Sequence, residues 1–113
     1  MVYSRKESYV ERKVTTWARQ QGLLPLKLTP VGEAGWPDHF YLFLYPAIAF
    51  IEFKAPGKKP RPLQEVRIAE LRRRGYPVAV IDNVESAVDF LRETMSPNAR
   101  SSKASITALP RNG

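Results

Sequence analysis

Two short stretches decide the fold of this 113-residue chain: Gly35-Trp36-Pro37-Asp38, and the run Ala47-Ile48-Ala49-Phe50-Ile51-Glu52-Phe53-Lys54. The second stretch is an apolar run that ends in two charged side chains one residue apart. Because alternate side chains of a strand leave on the same face, Glu52 and Lys54 should project together. Asp38 opens the run 39–45, which is long enough to be the preceding strand of a hairpin. The sequence therefore predicts two carboxylates and a lysine at one point of a sheet.

Two neighbouring carboxylates repel each other unless a hard cation lies between them. Mg²⁺ is usually held by one or two carboxylates together with substrate phosphate oxygens, so Asp38, Glu52 and Lys54 indicate phosphodiester hydrolysis. The alternative is a solvated charge pattern, since a Glu and a Lys on one strand face are common and Pro-Asp is ordinary in turns. The Gly-x-Pro-Asp order and the buried run that precedes Glu52 favour the site.

Positive charge is concentrated directly after this motif. The net charge is +7, and residues 54–74 carry eight basic side chains against Glu65 and Glu70. Such a patch attracts a polyanion and predicts a nucleic-acid partner, the alternative being a solvated helix face. The chain has no cysteine, which excludes disulfides and thiolate metal sites. The absence of a long apolar run or an apolar leader predicts no membrane association and, by default, a cytoplasmic location.

Apolar spacing and turn residues predict the order α-β-β-β-α-β-α, an α/β sandwich around a mixed sheet. The helices are expected at 4–21, 62–74 and 84–94, and the strands at 23–29, 39–45, 47–54 and 77–82. Ser4 to Glu7 fits a capping box, and Gly22 suits the end of the first helix. In the second helix the predicted apolar face is Val66, Ile68, Ala69 and Leu71. The strand 77–82 is expected to be buried on both faces.

The sequence also makes predictions for Glu11, for residues 55–62 and for the division of the chain into a domain and a tail. Glu11 lies at the edge of the buried stripe of the first helix, so its carboxylate needs a partner, and a salt bridge to Arg or Lys is one explanation. Residues 55–62 hold three prolines and a glycine, which predicts an irregular basic loop. Residues 1–95 are predicted to form one domain, and residues 96–113 a basic, mostly disordered tail.

This order and these motifs resemble the virus-type replication-repair nuclease domain (VRR-Nuc), a branch of the PD-(D/E)xK superfamily with a restriction-endonuclease-like sandwich. The resemblance covers about residues 4–94. The positions that carry it are Glu11, the stretch from Gly35 to Asp38, the stretch from Glu52 to Gly57, and Gln64 in the second helix.

The resemblance implies the following roles. Asp38, Glu52 and the backbone carbonyl of Phe53 would bind Mg²⁺ or Mn²⁺, with Glu11 supporting the metal directly or through a water. Lys54 would orient or activate the attacking water and counter charge on the phosphorus, and Gln64 would position Lys54 or a phosphate. DNA contacts are expected from four side chains besides Gln64, namely Trp36, Lys58, Lys59 and Arg61.

The stand-alone members of this family resemble structure-selective DNA endonucleases, and a homodimer that cuts four-way (Holliday) junctions is the expected activity. The apolar run 40–45 could supply a dimer interface, or helices of one monomer could bury both of its faces. The alternatives are a general or flap-type DNA nuclease, a non-catalytic nucleic-acid-binding protein with a nuclease-like fold, and a small basic interaction protein. His39 follows Asp38 and is expected to face the opposite way, as a structural residue or a DNA-backbone contact.

Overall fold

The computed structural model describes residues 2–28 and 33–95, with side chains from Glu7 onwards, so the predicted tail at 96–113 lies outside the described residues. Within those ranges the chain forms three helices and four strands in the predicted order. The bounds are α1 Val2–Gln20, β1 Leu24–Lys27, β2 His39–Leu42, β3 Ile48–Phe53, α2 Pro62–Arg73, β4 Val78–Ile81 and α3 Val84–Met95. Among the described residues, no helix is long and apolar enough to cross a membrane.

The four strands form one mixed sheet in the order β1-β2-β3-β4. The β1–β2 and β2–β3 pairs are antiparallel, and the β3–β4 pair is parallel. Parallel neighbours need a crossover connection, and α2 is part of the one that joins β3 to β4. The predicted α/β sandwich with a mixed sheet is confirmed.

The hydrophobic core lies on one face of this sheet, under α1 and α3. In the β2–β3 register, odd-numbered residues lie opposite each other, for example His39 with Ile51 and Tyr41 with Ala49. These odd-numbered side chains share the face that points into the core. The buried side chains of this core include Val10, Val14 and Ala18 from α1, Ala87 and Leu91 from α3, and Tyr41, Ala49, Ile51, Phe53 and Ile81 from the strands. The stripe predicted for the first helix therefore packs as expected.

The end of α1 is set by Gly22, as predicted. Gly22 has a φ of +87°, a conformation that glycine adopts without a steric penalty. The Gly22 N–H donates to the Arg19 carbonyl and the Leu23 N–H donates to the Ala18 carbonyl, which is the Schellman pattern. This turn brings Leu23 into the core directly before β1.

Several boundaries and burial predictions are wrong in detail. The α1 backbone is already helical at Val2, so Ser4 is inside the helix and not its N-cap. Strand β2 ends at Leu42 because residues 43–47 turn into β3, with the Phe43 N–H donating to the Ala47 carbonyl at 3.2 Å.

The second helix packs on the sheet through a narrower face than predicted. Ile68 and Gln64 are buried, whereas Val66 and Ala69 are exposed to solvent. Strand β4 is the last strand of the sheet, and Val80 on it is exposed, so the prediction that this strand is buried on both faces is wrong. The face of the sheet opposite the core is thus only partly covered.

Candidate active site

The two carboxylates of the motif lie at neighbouring strands of the sheet. Asp38 directly precedes β2, and its carbonyl accepts a 2.7 Å hydrogen bond from the Leu28 N–H. Glu52 is the penultimate residue of β3, and its side chain is 11% exposed, compared with 45% for Asp38. One carboxylate is therefore buried and the other is open to solvent.

Glu52 is held by two side chains that contact the same carboxylate oxygen. The Gln64 amide donates to Glu52 Oε2 at 3.0 Å, and Lys54 Nζ lies 3.7 Å from that oxygen. Gln64 in turn accepts a 2.8 Å hydrogen bond from the Arg61 N–H, which fixes its amide at the first turn of α2. Glu52 and Lys54 thus lie on the same side of β3, as strand alternation predicts. Gln64 contacts Glu52 and not Lys54.

The surroundings of Glu52 disfavour its charged form. Burial is the main cause that raises the pKa of the Glu52 carboxyl, and the nearby Asp38 charge raises it further. Lys54 and His39 oppose this shift without cancelling it. A buried carboxylate that is short of positive charge, with a second carboxylate nearby, is an environment that favours a bound cation.

His39 connects the first helix to Asp38. Its Nε2 lies 2.9 Å from Glu11 Oε2 and its Nδ1 lies 2.8 Å from Asp38 Oδ1, while its ring meets Phe53 edge to face at 5.0 Å. Both nitrogens are buried, and neither forms a hydrogen bond, so the ring contacts the two carboxylates without hydrogen-bond geometry.

The expectation that His39 faces away from Asp38 is wrong. Asp38 lies before the first residue of β2, so strand alternation does not apply between it and His39. Glu11 finds its partner in His39 and not in an Arg or Lys. The position of His39 directly after Asp38 was the one sequence signal that pointed to this contact.

The donors around Glu52 fit a hard divalent cation in kind. Carboxylates and backbone carbonyls are the oxygen ligands that Mg²⁺ accepts, and Asp38, Glu52 and the Phe53 carbonyl provide them at adjacent strands. In the described part of the chain, no three His, Asp or Glu side chains converge as a ready metal cluster. An ion held by these donors would therefore need further oxygen ligands.

The basic segment contains exposed arginines of α2 that bind other groups of the protein, and exposed cations on the loop that precedes α2. Arg73 and Arg74 bind Glu70 at 2.6 Å, and Arg72 donates to the Val78 carbonyl at 2.8 Å. The surface cations Lys58, Lys59 and Arg61 lie on the irregular loop between β3 and α2, and all three are exposed. This loop connects Lys54 to the first turn of α2, so its cations directly follow the Glu-x-Lys motif in the chain.

Trp36 lies in the loop that leads to Asp38. Its indole N–H donates to Glu33 Oε1 at 2.9 Å, and the Arg67 guanidinium lies over its ring at 4.6 Å from the centroid. One face of the ring is thus covered by Arg67, which restricts any base stacking to the other face.

A mixed sheet with an aspartate before one strand and Glu-x-Lys at the end of the next matches the PD-(D/E)xK class of nuclease fold. A solved structure described as a "VRR_NUC domain" superposes with a TM-score of 0.71 at 27% identity, over 77% of this chain and 95% of that chain. The protein named "Putative nuclease p44" of Acyrthosiphon pisum secondary endosymbiont phage 1 is 33% identical over 78 residues, which is 69% of this chain and 84% of that protein. No family model matches the sequence. Because of its similarity to this phage protein and to the solved domain, the chain belongs to the VRR-Nuc family of nucleases.

Proposed function

We propose that this protein is a divalent-metal-dependent DNA endonuclease that hydrolyses phosphodiester bonds in branched DNA, four-way junctions in particular. The observation that carries the proposal is the buried Glu52 carboxylate, which faces Lys54 and lies close enough to Asp38 for the two charges to interact. A surface charge pattern would leave Glu52 solvated, whereas burial has an energetic cost that only a functional or compensating partner offsets.

Asp38, Glu52 and the Phe53 carbonyl are the groups that would hold Mg²⁺ or Mn²⁺. When bound, such an ion lowers the pKa of a coordinated water and stabilises negative charge on phosphate oxygens. Gln64 keeps the Glu52 carboxylate in one orientation through its 3.0 Å hydrogen bond. Groups that orient metal ligands in this way commonly change metal affinity when they are replaced.

Lys54 is the group that acts on the reacting phosphate. Its ammonium lies beside Glu52 on the same side of β3, where it can orient the attacking water and neutralise charge that develops on the phosphoryl oxygens. An ammonium carries three donors and no acceptor, so Lys54 itself does not coordinate the metal.

Glu11 acts on the site through His39. The carboxylate of Glu11 contacts the imidazole, and the imidazole contacts Asp38 on its other side. This series of contacts holds the exposed Asp38 side chain in place from the α1 side. Gln64 holds the Glu52 side chain from the α2 side. Glu11 is therefore proposed as a supporting residue and not as a direct ligand.

Lys58, Lys59 and Arg61 are proposed to bind the phosphate backbone. They are exposed, they follow Lys54 in sequence, and no acidic side chain lies within residues 55–61. Contacts of this kind add affinity and salt dependence without reading the base sequence.

A homodimer is proposed through a leucine row, defined as Leu24 and Leu26 of β1 and Leu28 directly after it, which are 46%, 38% and 49% exposed. Leu24 pairs with Leu42 and Leu26 with Phe40, so the row continues on the sheet face away from the core. An apolar edge of this kind suits a protein partner and not a phosphate backbone. A second copy is the proposed occupant because a two-fold dimer would present two sites to a junction of matching symmetry.

A cleavage panel tests the proposal. Four-way, flap, duplex and single-stranded DNA are incubated with Mg²⁺ or Mn²⁺, with Glu52→Gln as the inactive control. Metal-dependent cleavage of the junction at paired positions supports the proposal. Equal cleavage of linear duplex indicates a general nuclease, and binding without cleavage by the wild-type protein indicates a non-catalytic DNA-binding protein.

A further inference from the structure

The loop that carries Asp38 packs directly on the second helix. Gly35 has a φ of +89°, and a Cβ atom at that position would lie 2.7 Å from Leu63 Cγ and 3.2 Å from Arg67 Cγ. Such distances are below van der Waals contact, so only glycine allows the backbone this close to α2. The Gly-x-Pro-Asp motif therefore requires its glycine for docking on the helix, three residues before the carboxylate.

Arg67 fastens the same loop by two contacts. Its Nε donates to the Ala34 carbonyl at 3.0 Å, and its guanidinium lies 4.6 Å from the centroid of the Trp36 ring. The two contacts sit on either side of Gly35. Arg67 thus holds the loop residues immediately before Pro37 and Asp38.

The other carboxylate is tied to the same helix. Gln64 is one turn before Arg67 on α2 and donates to Glu52 Oε2 at 3.0 Å. Residues three apart on a helix lie on one face, so Gln64 and Arg67 project from α2 as neighbours. One helix face therefore contacts the loop before Asp38 and the side chain of Glu52.

We propose that Arg67 is a positioning residue that sets the separation between Asp38 and Glu52 and thereby the affinity for the divalent metal. This inference rests on the proposed function, in which these two carboxylates hold that ion. Arg67 touches neither carboxylate, and it acts by fixing the loop on α2 while Gln64 fixes Glu52.

The contacts of Arg67 separate this role from simple DNA binding. Its guanidinium is engaged by an aromatic face and a carbonyl, in contrast to the exposed Lys58 and Lys59. Lysine would keep the positive charge but lacks the planar fork that stacks on Trp36 while bonding Ala34. Arg67→Lys therefore keeps the positive charge that DNA binding would need, and it removes the contacts that position the loop.

The test compares Arg67→Lys and Arg67→Met with Arg73→Ala, which alters an arginine of the same helix whose partner is Glu70. Mn²⁺ binding is measured by calorimetry without DNA, and DNA binding is measured in EDTA. Both Arg67 variants should bind Mn²⁺ about 10- to 100-fold more weakly, the range for groups that orient metal ligands. For Arg67→Lys, DNA affinity in EDTA should stay within about twofold of wild type, and Arg73→Ala should match wild type in Mn²⁺ affinity.

Gly35→Ala supplies an independent perturbation of the same contact and should weaken Mn²⁺ binding in the same way, with circular dichroism to confirm folding. Wild-type Mn²⁺ affinity in folded Arg67→Lys and Arg67→Met would overturn the positioning role while leaving the proposed function intact. Failure of the wild-type protein to bind Mn²⁺ would instead overturn the proposed function, and the positioning role with it.

Discussion

At the residue scale, the position of the Glu52 carboxylate has an energetic cost. Its carboxylate is buried at the end of β3, and its pKa is raised mainly by that burial. A carboxyl group that is harder to ionise in the folded state than in the unfolded state destabilises the fold once it is charged. A cation bound beside the carboxylate would reverse this cost, as the proposed function requires.

The first prediction follows from the sign of this shift. The folded-state pKa of Glu52 lies above its unfolded value of 4.5, so the stability associated with the neutral form is complete below pH 4.5 and is lost as the pH rises through the folded pKa. Glu52→Gln keeps an acceptor for Gln64 and removes the ionisation. In EDTA at pH 7 the variant should have a higher free energy of unfolding than wild type, measured by urea titration.

The control for that experiment is the same pair at pH 4, where wild-type Glu52 is largely protonated and the difference should shrink. A variant that is less stable than wild type at pH 7 in EDTA would show that Lys54 and Gln64 outweigh the burial penalty.

The second prediction concerns the chain from Glu11 through His39 to Asp38. His39→Ala and Glu11→Ala should each weaken Mn²⁺ binding about 10-fold or more, since both release Asp38 from the α1 side. Because the two residues act in series, the double variant should lose little more than either single variant. Additive losses in calorimetry would mean that Glu11 reaches the metal independently of His39.

At the element scale, the loop at 54–61 leads into α2, and the first turns of α2 contact both parts of the candidate site, the Glu52 side chain and the loop that carries Asp38. The loop carries exposed cations past Lys54, and α2 then fastens Glu52 through Gln64 and the Asp38 loop through Arg67. Helix α2 buries two side chains, and one of them, Gln64, is the residue that contacts Glu52.

The third prediction is made for this loop. Replacing Lys58, Lys59 and Arg61 together with Ala should weaken binding to every DNA form alike and reduce the slope of log affinity against log salt by up to about 3, at roughly 0.9 per phosphate contact. Arg73→Ala with Arg74→Ala is the matched control, because Glu70 already pairs with both cations. An unchanged salt slope in the triple variant would show that DNA does not cross this loop.

Apolar spacing and turn residues are sufficient to predict the order of helices and strands along the chain and a mixed sheet, and strand alternation predicts the shared side of Glu52 and Lys54. The order of the strands within the sheet does not follow from these patterns. The contact of His39 with Asp38 could not be predicted in the same way, because Asp38 lies outside β2 and strand alternation does not fix the direction of its side chain. Helix periodicity predicts a buried face that includes Val66 and Ala69, but it does not reveal how wide the contact between the helix and the sheet is. The part played by Arg67 depends on contacts to residue 34 and Trp36, far from it in sequence.

At the scale of the whole molecule, the proposed preference for branched DNA would have to come from geometry outside the candidate site. The leucine row leaves one edge of the sheet apolar and exposed, in a chain with a net charge of +7. Burying that row against a second copy would remove apolar surface from water.

The fourth prediction tests this surface. Leu26→Asp should convert a micromolar dimer into a monomer, because a carboxylate buried in an apolar contact is costly. Light scattering measures the mass, and Val66→Asp is the control, since Val66 is exposed on α2 away from the row. The monomeric variant should lose paired nicking of a four-way junction and keep Mn²⁺ binding. A wild-type protein that is already monomeric would contradict the dimer.

The central claim is that Asp38 and Glu52 hold the divalent ion with which this protein cleaves DNA. The most direct measurement is Mn²⁺ calorimetry on wild type, Asp38→Asn and Glu52→Gln, paired with cleavage of a fixed four-way junction by the same preparations. The claim predicts that wild type binds Mn²⁺ and cleaves, and that both variants fold and bind DNA but neither bind the ion nor cleave. Wild-type cleavage by either variant at the same Mn²⁺ concentration would contradict it.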